Sequence, residues 1–344
     1  KTMINFKNLE NRSFIIAEVG QNHQGDINIA KKYVEVFASM GADAIKFQTR
    51  NNKTLFSEEA YNKEYNSDNA FAKKYGEHRE QLELKYKDLV VLKNLCKKLK
   101  VNFMCTPFDL LSAKKLKKIG VDIFKISSFD LGNLPLINLI SKMKKPVILS
   151  TGGGNLKEIN ASVKILKKNK TNFSLLHCVS EYPCSYDRLG LEKIKKLSKL
   201  YPKTSIGLSD HFNGILSGPL AFMLGARVFE KHVTFNRSWK GTDHSFSMEP
   251  DGFRKFVRDI RRVPKMMKEK NKSSLGKEKV FYKLGKSIVA NKSIKAGKKL
   301  KIEDLNGKIF DKQYIPIREC FSLIGKKLKK DLYKDEIILK SYVK

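Results

Sequence analysis

Short apolar, β-branched runs recur along the first 235 residues, each followed by a longer stretch with apolar positions every three or four residues. The runs fall at residues 14–19, 44–48, 101–106, 123–128, 146–151, 173–178, 205–209 and 228–233, which predicts eight strands. Segments such as 27–40, 88–100, 110–119, 156–168 and 215–225 carry the helical period between them. Continuous apolar strands separated by helices belong to a parallel sheet buried on both faces. Eight such units with no strand left over predict an α/β chain folded as a TIM (β/α)8 barrel rather than an open doubly wound sheet.

Residues 51–82 interrupt this rhythm with a polar stretch rich in Tyr, Asn and Glu. An insertion after the second strand sits at the C-terminal mouth of a barrel, where long loops usually carry function. The barrel is expected to occupy residues 1–267, closing on a helix at 252–267, and 268–283 reads as a charged linker. Residues 284–344 change character, with β-like pieces at 287–290, 308–310 and 336–339 broken by Gly297, Gly307 and Gly325. A β-rich unit of about 60 residues is marginal alone and is expected to lean on something else.

Composition narrows the class. No apolar run approaches the roughly 20 residues of a membrane span, and residues 1–14 lack a signal-peptide core, so the expected location is the cytoplasm. Cys96, Cys105, Cys178, Cys184 and Cys320 form no CxxC pair, which argues for reduced structural thiols and against a disulfide framework or zinc knuckle. The 69 Lys and Arg against 35 acids give a net charge of +34. The lysines are spread over nearly every helix, as in Lys114–Lys118 and Lys326–Lys330, without interleaved aromatics. They read as solvated faces; a nucleic-acid partner is disfavoured, and steering of anionic substrates is a natural by-product.

In a barrel, polar residues at the C-terminal strand ends face the active site. Here those are Glu18, Lys46 with Gln48, Thr106, Lys125 with Ser128, Ser150 with Thr151, and His177. The last two strands add Ser209, Asp210 and His211, then Lys231 and His232. A buried ammonium needs an anion. Lys46 and Lys125 therefore either pair with a carboxylate inside the barrel, such as Glu18, or line a pocket for a phosphorylated carboxylate together with the surrounding hydroxyls. His211 and His232 end adjacent strands, and two neutral imidazoles plus water suit an open divalent site for Mn²⁺ or a similar ion. His78 and His244 are weaker candidates, and His23, in the loop after the first strand, reads as either a ligand or a loop-ordering group. Gly152-Gly153-Gly154 is as consistent with a plain turn as with a phosphate cradle, and Leu284-Gly285-Lys286-Ser287 lacks the spacing of a P-loop.

These residues occur in an ordered set of motifs: Ile16-Ala17-Glu18-Val19-Gly20-Gln21-Asn22-His23-Gln24-Gly25, Lys46-Phe47-Gln48, Thr106-Pro107-Phe108, Phe124-Lys125-Ile126-Ser127-Ser128, Leu149-Ser150-Thr151-Gly152, Gly207-Leu208-Ser209-Asp210-His211 and Glu230-Lys231-His232. The set resembles the sialic acid synthase (N-acetylneuraminate synthase) family along essentially the whole chain. Tyr75-Gly76-Glu77-His78 and Trp239-Lys240-Gly241-Thr242-Asp243-His244-Ser245 are most similar to the animal-type N-acetylneuraminate-9-phosphate synthases, which take a 6-phosphorylated N-acetylmannosamine. The tail is similar to the antifreeze-protein-like (SAF) domain of these synthases.

The resemblance implies condensation of phosphoenolpyruvate with an amino-sugar aldehyde, with release of phosphate. It implies a divalent metal, most favourably Mn²⁺ with Mg²⁺ or Co²⁺ as alternatives, on His211 and His232, and a domain-swapped homodimer. It places phosphoenolpyruvate on Lys46, Thr106, Lys125, Ser128, Ser150, Ser180 and Ser209, and the sugar near Glu18, Gln48, Tyr182 and Asp243, with Glu18, Lys46 and Lys125 catalytic. Two departures stand out. Many bacterial members have Asn in place of Ser180, and many carry a C-terminal-domain Arg where Ile309 or a neighbour stands here. Arg318 does not match that position. Lys73 or Arg79, in the insertion, could meet a sugar phosphate. Legionaminic or pseudaminic acid synthesis from a diacetamido hexose is the alternative within the family; a Schiff-base aldolase using Lys125 or Lys231 lies outside it.

Overall fold

The computed structural model describes residues 4–10, 12–269, 271, 274 and 276–344. They form two compact units divided after Met267. In the first, eight parallel strands close into a barrel in chain order. These are β1 (Phe14–Gly20), β2 (Ala44–Thr49), β3 (Asn102–Pro107), β4 (Ile123–Ile126), β5 (Val147–Ser150), β6 (Phe173–Cys178), β7 (Ser205–Asp210) and β8 (Val228–His232). Closure is made by β8 returning to β1, with Phe14 opposite Val228 and Glu18 opposite His232. The barrel read from the hydrophobic pattern is therefore present.

The period-two alternation of each strand separates two environments. Ile15, Ala17, Ile45, Phe47, Phe103, Phe124, Leu149, Leu175, Leu208 and Phe229 point outward and pack under the helices. Ile16, Ala44, Met104, Ile123, Ile148, Leu176 and Val228 point inward, and Phe6 and Phe14 join them to fill the lower half with apolar side chains. Gly207 belongs to this interior: a Cβ there would stand 2.1 Å from the Val228 carbonyl oxygen, so a side chain would force β7 off β8. A dry, filled floor leaves the polar residues one or two positions further along each strand gathered at the C-terminal mouth.

β4 and β5 are shorter than their apolar runs. The chain leaves β4 after Ile126 and turns into a short 3-10 helix, Ser128–Asp130, which carries the Ser128 hydroxyl to the mouth. The insertion after β2, read as a polar loop, contains three short helices, Asn52–Leu55, Glu58–Asn62 and Tyr75–Gln81. Its core is His78, buried against the rings of Tyr65, Phe71 and Tyr75, with Nδ1 accepting the Phe71 N–H at 3.1 Å. The lysines of Lys114–Lys118 and Lys326–Lys330 are exposed while Leu116 and Leu328 between them are buried, the solvated-face arrangement. No helix among the described residues is long and apolar enough to cross a membrane.

The second unit has its own core of Ile288, Ala290, Ile294, Leu300, Leu323, Leu328, Leu332 and Ile338. A two-stranded antiparallel sheet, β9 (Ser287–Ala290) and β10 (Leu305–Lys308), runs through it. β10 is shifted toward the N-terminus of the expected 308–310 piece and shares only Lys308 with it, and 336–339 makes an isolated bridge, Val289 to Ile337. The stretch read as a linker holds a helical turn, Lys279–Leu284, and falls within this unit; residues 270, 272, 273 and 275 of it lie outside the described residues.

Candidate active site

A cavity of about 450 Å³ opens at the C-terminal mouth of the barrel. Twelve of the thirteen candidates line it: Glu18, Lys46, Gln48, Thr106, Lys125, Ser128, Ser150, Tyr182, Ser209, His211, His232 and Asp243. The thirteenth, Ser180, lies beside it, its hydroxyl 4.0 Å from the sulfur of Cys178, another lining residue.

Its base is a buried ring of charge. Lys46 Nζ lies 2.7 Å from Glu18 Oε2 and 3.7 Å from Glu230 Oε1, and donates to Thr106 Oγ1 at 3.1 Å. Lys125 Nζ reaches Glu230 Oε1 at 3.3 Å, and Ser209 Oγ donates to the same oxygen at 3.2 Å. Both lysines thus have carboxylate partners, Glu18 being the one foreseen and Glu230 the one missed. Glu230 sits two residues before His232, so strand alternation already puts the two on one face. The charges tune each other. Burial would raise the Glu230 pKa, but the two ammonium groups override it and hold the carboxylate at about 2. Burial dominates for Glu18 and leaves its carboxyl above the usual range despite Lys46. Burial also dominates for Lys125 and lowers its pKa, whereas the two carboxylates raise that of Lys46. Two carboxyls in one cluster pushed in opposite directions suit one to hold charge and the other to exchange a proton.

Above this ring the two histidines converge, their ring centroids 5.3 Å apart. His211 Nδ1 donates to the Val179 carbonyl at 2.7 Å, which leaves the Nε2 lone pair for a ligand. Burial opposes charging of this ring, while the Cys178 sulfur and that carbonyl favour it, for a net upward shift. Burial pushes the His232 pKa to about 3 and keeps that ring neutral, and its Nδ1 is buried without a hydrogen-bond partner, 3.6 Å from Asp243 Oδ2. Two convergent imidazoles, one with a buried nitrogen lacking a partner, fit a divalent ion. No group of three or more His, Cys, Asp or Glu side chains suited to a cation occurs among the described residues. The remaining coordination positions would therefore fall to water or substrate oxygens, the open pattern of a catalytic centre. Tyr182 lies over His211, 4.1 Å between centroids.

The hydroxyl side of the cavity is shaped by Gly152, whose N–H donates to Ser128 Oγ at 3.0 Å. A Cβ at that position would meet Ser180 Oγ at 2.6 Å and Ser128 Oγ at 2.7 Å. Ser150 Oγ is buried with no partner and is available to a ligand.

Other candidates are excluded from the cavity. Lys231 faces outward, ion-paired to Asp210 at 2.7 Å and donating to the carbonyls of Phe212 and Gly214. His177 also faces out and contacts the Leu189 carbonyl. His23 Nδ1 accepts the Gly25 N–H, ordering its loop, and His244 bonds Thr234. Arg318 is held inside the second unit against Gly276 and Phe281. All five cysteines are free thiols. Arg50 and Arg79 both line the cavity; no strand-end pattern flags them, because Arg50 lies past the end of β2 and Arg79 on an inserted helix.

A closed barrel with cations, carboxylates and imidazoles converging at its C-terminal mouth defines a TIM-barrel enzyme. A model of the NeuB family matches residues 33–272. The mouse N-acetylneuraminate-9-phosphate synthase is 34% identical over 331 residues, covering 96% of this chain and 92% of that protein. The N,N'-diacetyllegionaminic acid synthase of Campylobacter jejuni is 38% identical, covering 83% and 87%. The crystal structure of a sialic acid synthetase from Leptospira borgpetersenii in complex with citrate superposes with a TM-score of 0.69 at 35% identity, covering 80% of this chain and 93% of that one. The chain belongs to the NeuB family.

Proposed function

We propose that the protein is a sialic- or nonulosonic-acid synthase of the transferase type, joining phosphoenolpyruvate to N-acetylmannosamine or its 6-phosphate. The observation that carries this reading is the placement of Lys46 and Lys125, with Thr106, Ser150 and Ser209, directly beneath two convergent imidazoles.

In this reading Lys46, Lys125 and the hydroxyls hold the phosphate and carboxylate of phosphoenolpyruvate. Its methylene carbon forms a bond to the sugar aldehyde carbon, water adds at the second carbon, and the C–O bond to phosphate breaks. Positive charge developing at that second carbon is stabilised by the Glu230 carboxylate, held ionised by its two lysines. Glu18, with its raised pKa, exchanges the proton that water and phosphate require, and Gln48 orients it through a 2.7 Å hydrogen bond. Tyr182 and Asp243 line the sugar side. A divalent ion on His211 and His232, with Mn²⁺ favoured over Mg²⁺ or Co²⁺, would supply Lewis-acid polarisation of the aldehyde. The second unit is read as the antifreeze-like (SAF) domain and the working form as a domain-swapped homodimer on the strength of the motifs, and the location as the cytoplasm because no apolar run is long enough for a membrane span.

The Campylobacter relative supports legionaminic acid synthesis as the second reading. A Schiff-base aldolase through Lys231 has no support, because Asp210 holds that lysine outside the cavity. The test is phosphate release from phosphoenolpyruvate with Mn²⁺ and a panel of amino sugars: N-acetylmannosamine, its 6-phosphate and diacetamido hexoses. Release that depends on one of these acceptors is expected; no release with any of them would overturn the reading.

A further inference from the structure

The polar insertion after β2 is bracketed by two charged residues that meet. Arg50 precedes residues 51–82 and Glu83 follows them. Glu83 Oε1 accepts from Arg50 Nη1 at 2.8 Å, and its Oε2 accepts the Arg50 backbone N–H at 3.1 Å. One carboxylate thus fixes both the main chain and the guanidinium of Arg50. Only 2% of the Arg50 side chain and 14% of that of Glu83 are exposed, and the guanidinium lies 4.3 Å over the Phe108 ring. Charge-assisted bonds shielded in this way hold one geometry.

The other terminal nitrogen of Arg50 turns toward the reacting groups. Nη2 donates to Gln48 Oε1 at 2.8 Å, and Gln48 Nε2 donates to Glu18 Oε1 at 2.7 Å. A guanidinium has donors and no acceptor, and an ionised carboxylate has acceptors and no donor. A Gln48 amide flipped end for end would set its NH2 against Arg50 and its oxygen against Glu18. Arg50 therefore selects the orientation in which Gln48 donates to Glu18. With Gln48 on Oε1 and Lys46 2.7 Å from Oε2, both oxygens of the Glu18 carboxyl are located.

We propose that Glu83 is a positioning residue for the reaction: it anchors Arg50, Arg50 sets the Gln48 amide, and that amide aims the Glu18 carboxyl. This rests on the synthase reading above, in which Glu18 exchanges a proton. Glu83 is not among the residues lining the cavity, so it acts through Arg50. The same ion pair ties the base of the insertion, whose residues Tyr75 and Arg79 do line the cavity, to the group that moves the proton.

The test compares wild type, Glu83→Gln, Arg50→Lys, Gln48→Ala and the double variant Glu83→Gln with Gln48→Ala, by phosphate release with Mn²⁺ and the acceptor that wild type prefers. Lysine at position 50 keeps a charge opposite Glu83 but lacks the fork that reaches Gln48 at the same time, so Arg50→Lys answers the question even where Glu83→Gln proves too unstable to isolate. Both single variants should lower kcat roughly 10-fold, the weight of one hydrogen bond to a charged group, and change KM for phosphoenolpyruvate by less than about twofold. In the Gln48→Ala background the Glu83 substitution should lower kcat no further, because the intermediary is gone. Additive losses in the double variant, or wild-type kcat in folded Glu83→Gln or Arg50→Lys, would overturn the proposal. The amide is also read without turnover, by ¹⁵N labelling of glutamine side chains with the Gln48 signals assigned by their absence in Gln48→Ala. Those signals should shift in Arg50→Lys and Glu83→Gln, and unchanged signals would refute the relay. A wild type inactive with every acceptor would sink the synthase reading instead, and the amide signals would still decide whether Glu83 and Arg50 set Gln48.

Discussion

Glu230 Oε1 lies 3.3 Å from Lys125 Nζ, a contact made across the barrel between β8 and β4, which are not neighbouring strands. The same oxygen is 3.7 Å from Lys46. One carboxylate therefore keeps two buried ammonium groups from facing each other, in a region otherwise shaped for an anion.

Glu230→Gln removes that charge while keeping the shape. Breaking one side of a buried pair costs about 3–5 kcal/mol, and the amide retains an acceptor, so a loss near 3 kcal/mol is expected without ligand. Phosphoenolpyruvate should return part of it, since its anionic groups compensate the lysines and ligand binding stabilises the folded state. Thermal unfolding with and without phosphoenolpyruvate checks this; equal losses under both conditions would contradict it.

Gly152→Ala would drive a methyl group into Ser180 and Ser128. Overpacking of this kind costs about 1–3 kcal/mol, and to the extent that it displaces the serines from bound phosphoenolpyruvate it corresponds to a rise of roughly 5- to 150-fold in KM for that substrate. The KM for the sugar should move much less. Steady-state kinetics with each substrate varied in turn separates the two, and a selective rise in the sugar KM would place the serines on the wrong substrate.

Exhaustive chelation should abolish phosphate release and added Mn²⁺ should restore it. His232→Ala should stay inactive after the same addition, because it removes one of the two imidazoles that converge there. Full activity in a preparation shown by elemental analysis to be free of divalent metal would end the metal assignment.

His23 gives a pH signature outside the reacting groups. Burial lowers its pKa from 6.5 to about 4, and Nδ1 must stay unprotonated to accept the Gly25 N–H. Because the folded-state value lies below the unfolded one, the associated stability is fully present above pH 6.5. It is lost as pH falls towards 4. At 1.36 kcal/mol per pKa unit the loss by pH 4.5 is about 2–3 kcal/mol. His23→Gln, which keeps an acceptor but does not titrate, should lose less stability over this window by about that amount. Chemical denaturation at pH 7 and 4.5 measures it, and identical pH profiles would refute the assignment.

Much of the site was legible because barrel geometry converts local pattern into position. A run such as Ala44–Thr49 declares its own alternation, so Lys46 and Gln48 share a face with Ala44 whatever the rest of the chain does. The same rule read strictly would have kept Glu230 and His232 and rejected Lys231. Polar residues at strand ends thus divide between the two faces, Lys231 pairing with Asp210 outside the cavity.

The linear pattern of apolar and polar residues by itself determined eight strands, their closure in chain order, and which end carries the chemistry, since strand alternation and the strand–helix repeat are short-range properties. It could not determine partnerships. Glu230 meets residues 105 and 184 positions away, and Arg50 is satisfied by Glu83 while Arg79 keeps an unpaired nitrogen. Such distinctions follow from which side chains the closed barrel and its insertion bring within a few ångströms, where burial makes the presence or absence of a counter-charge decisive.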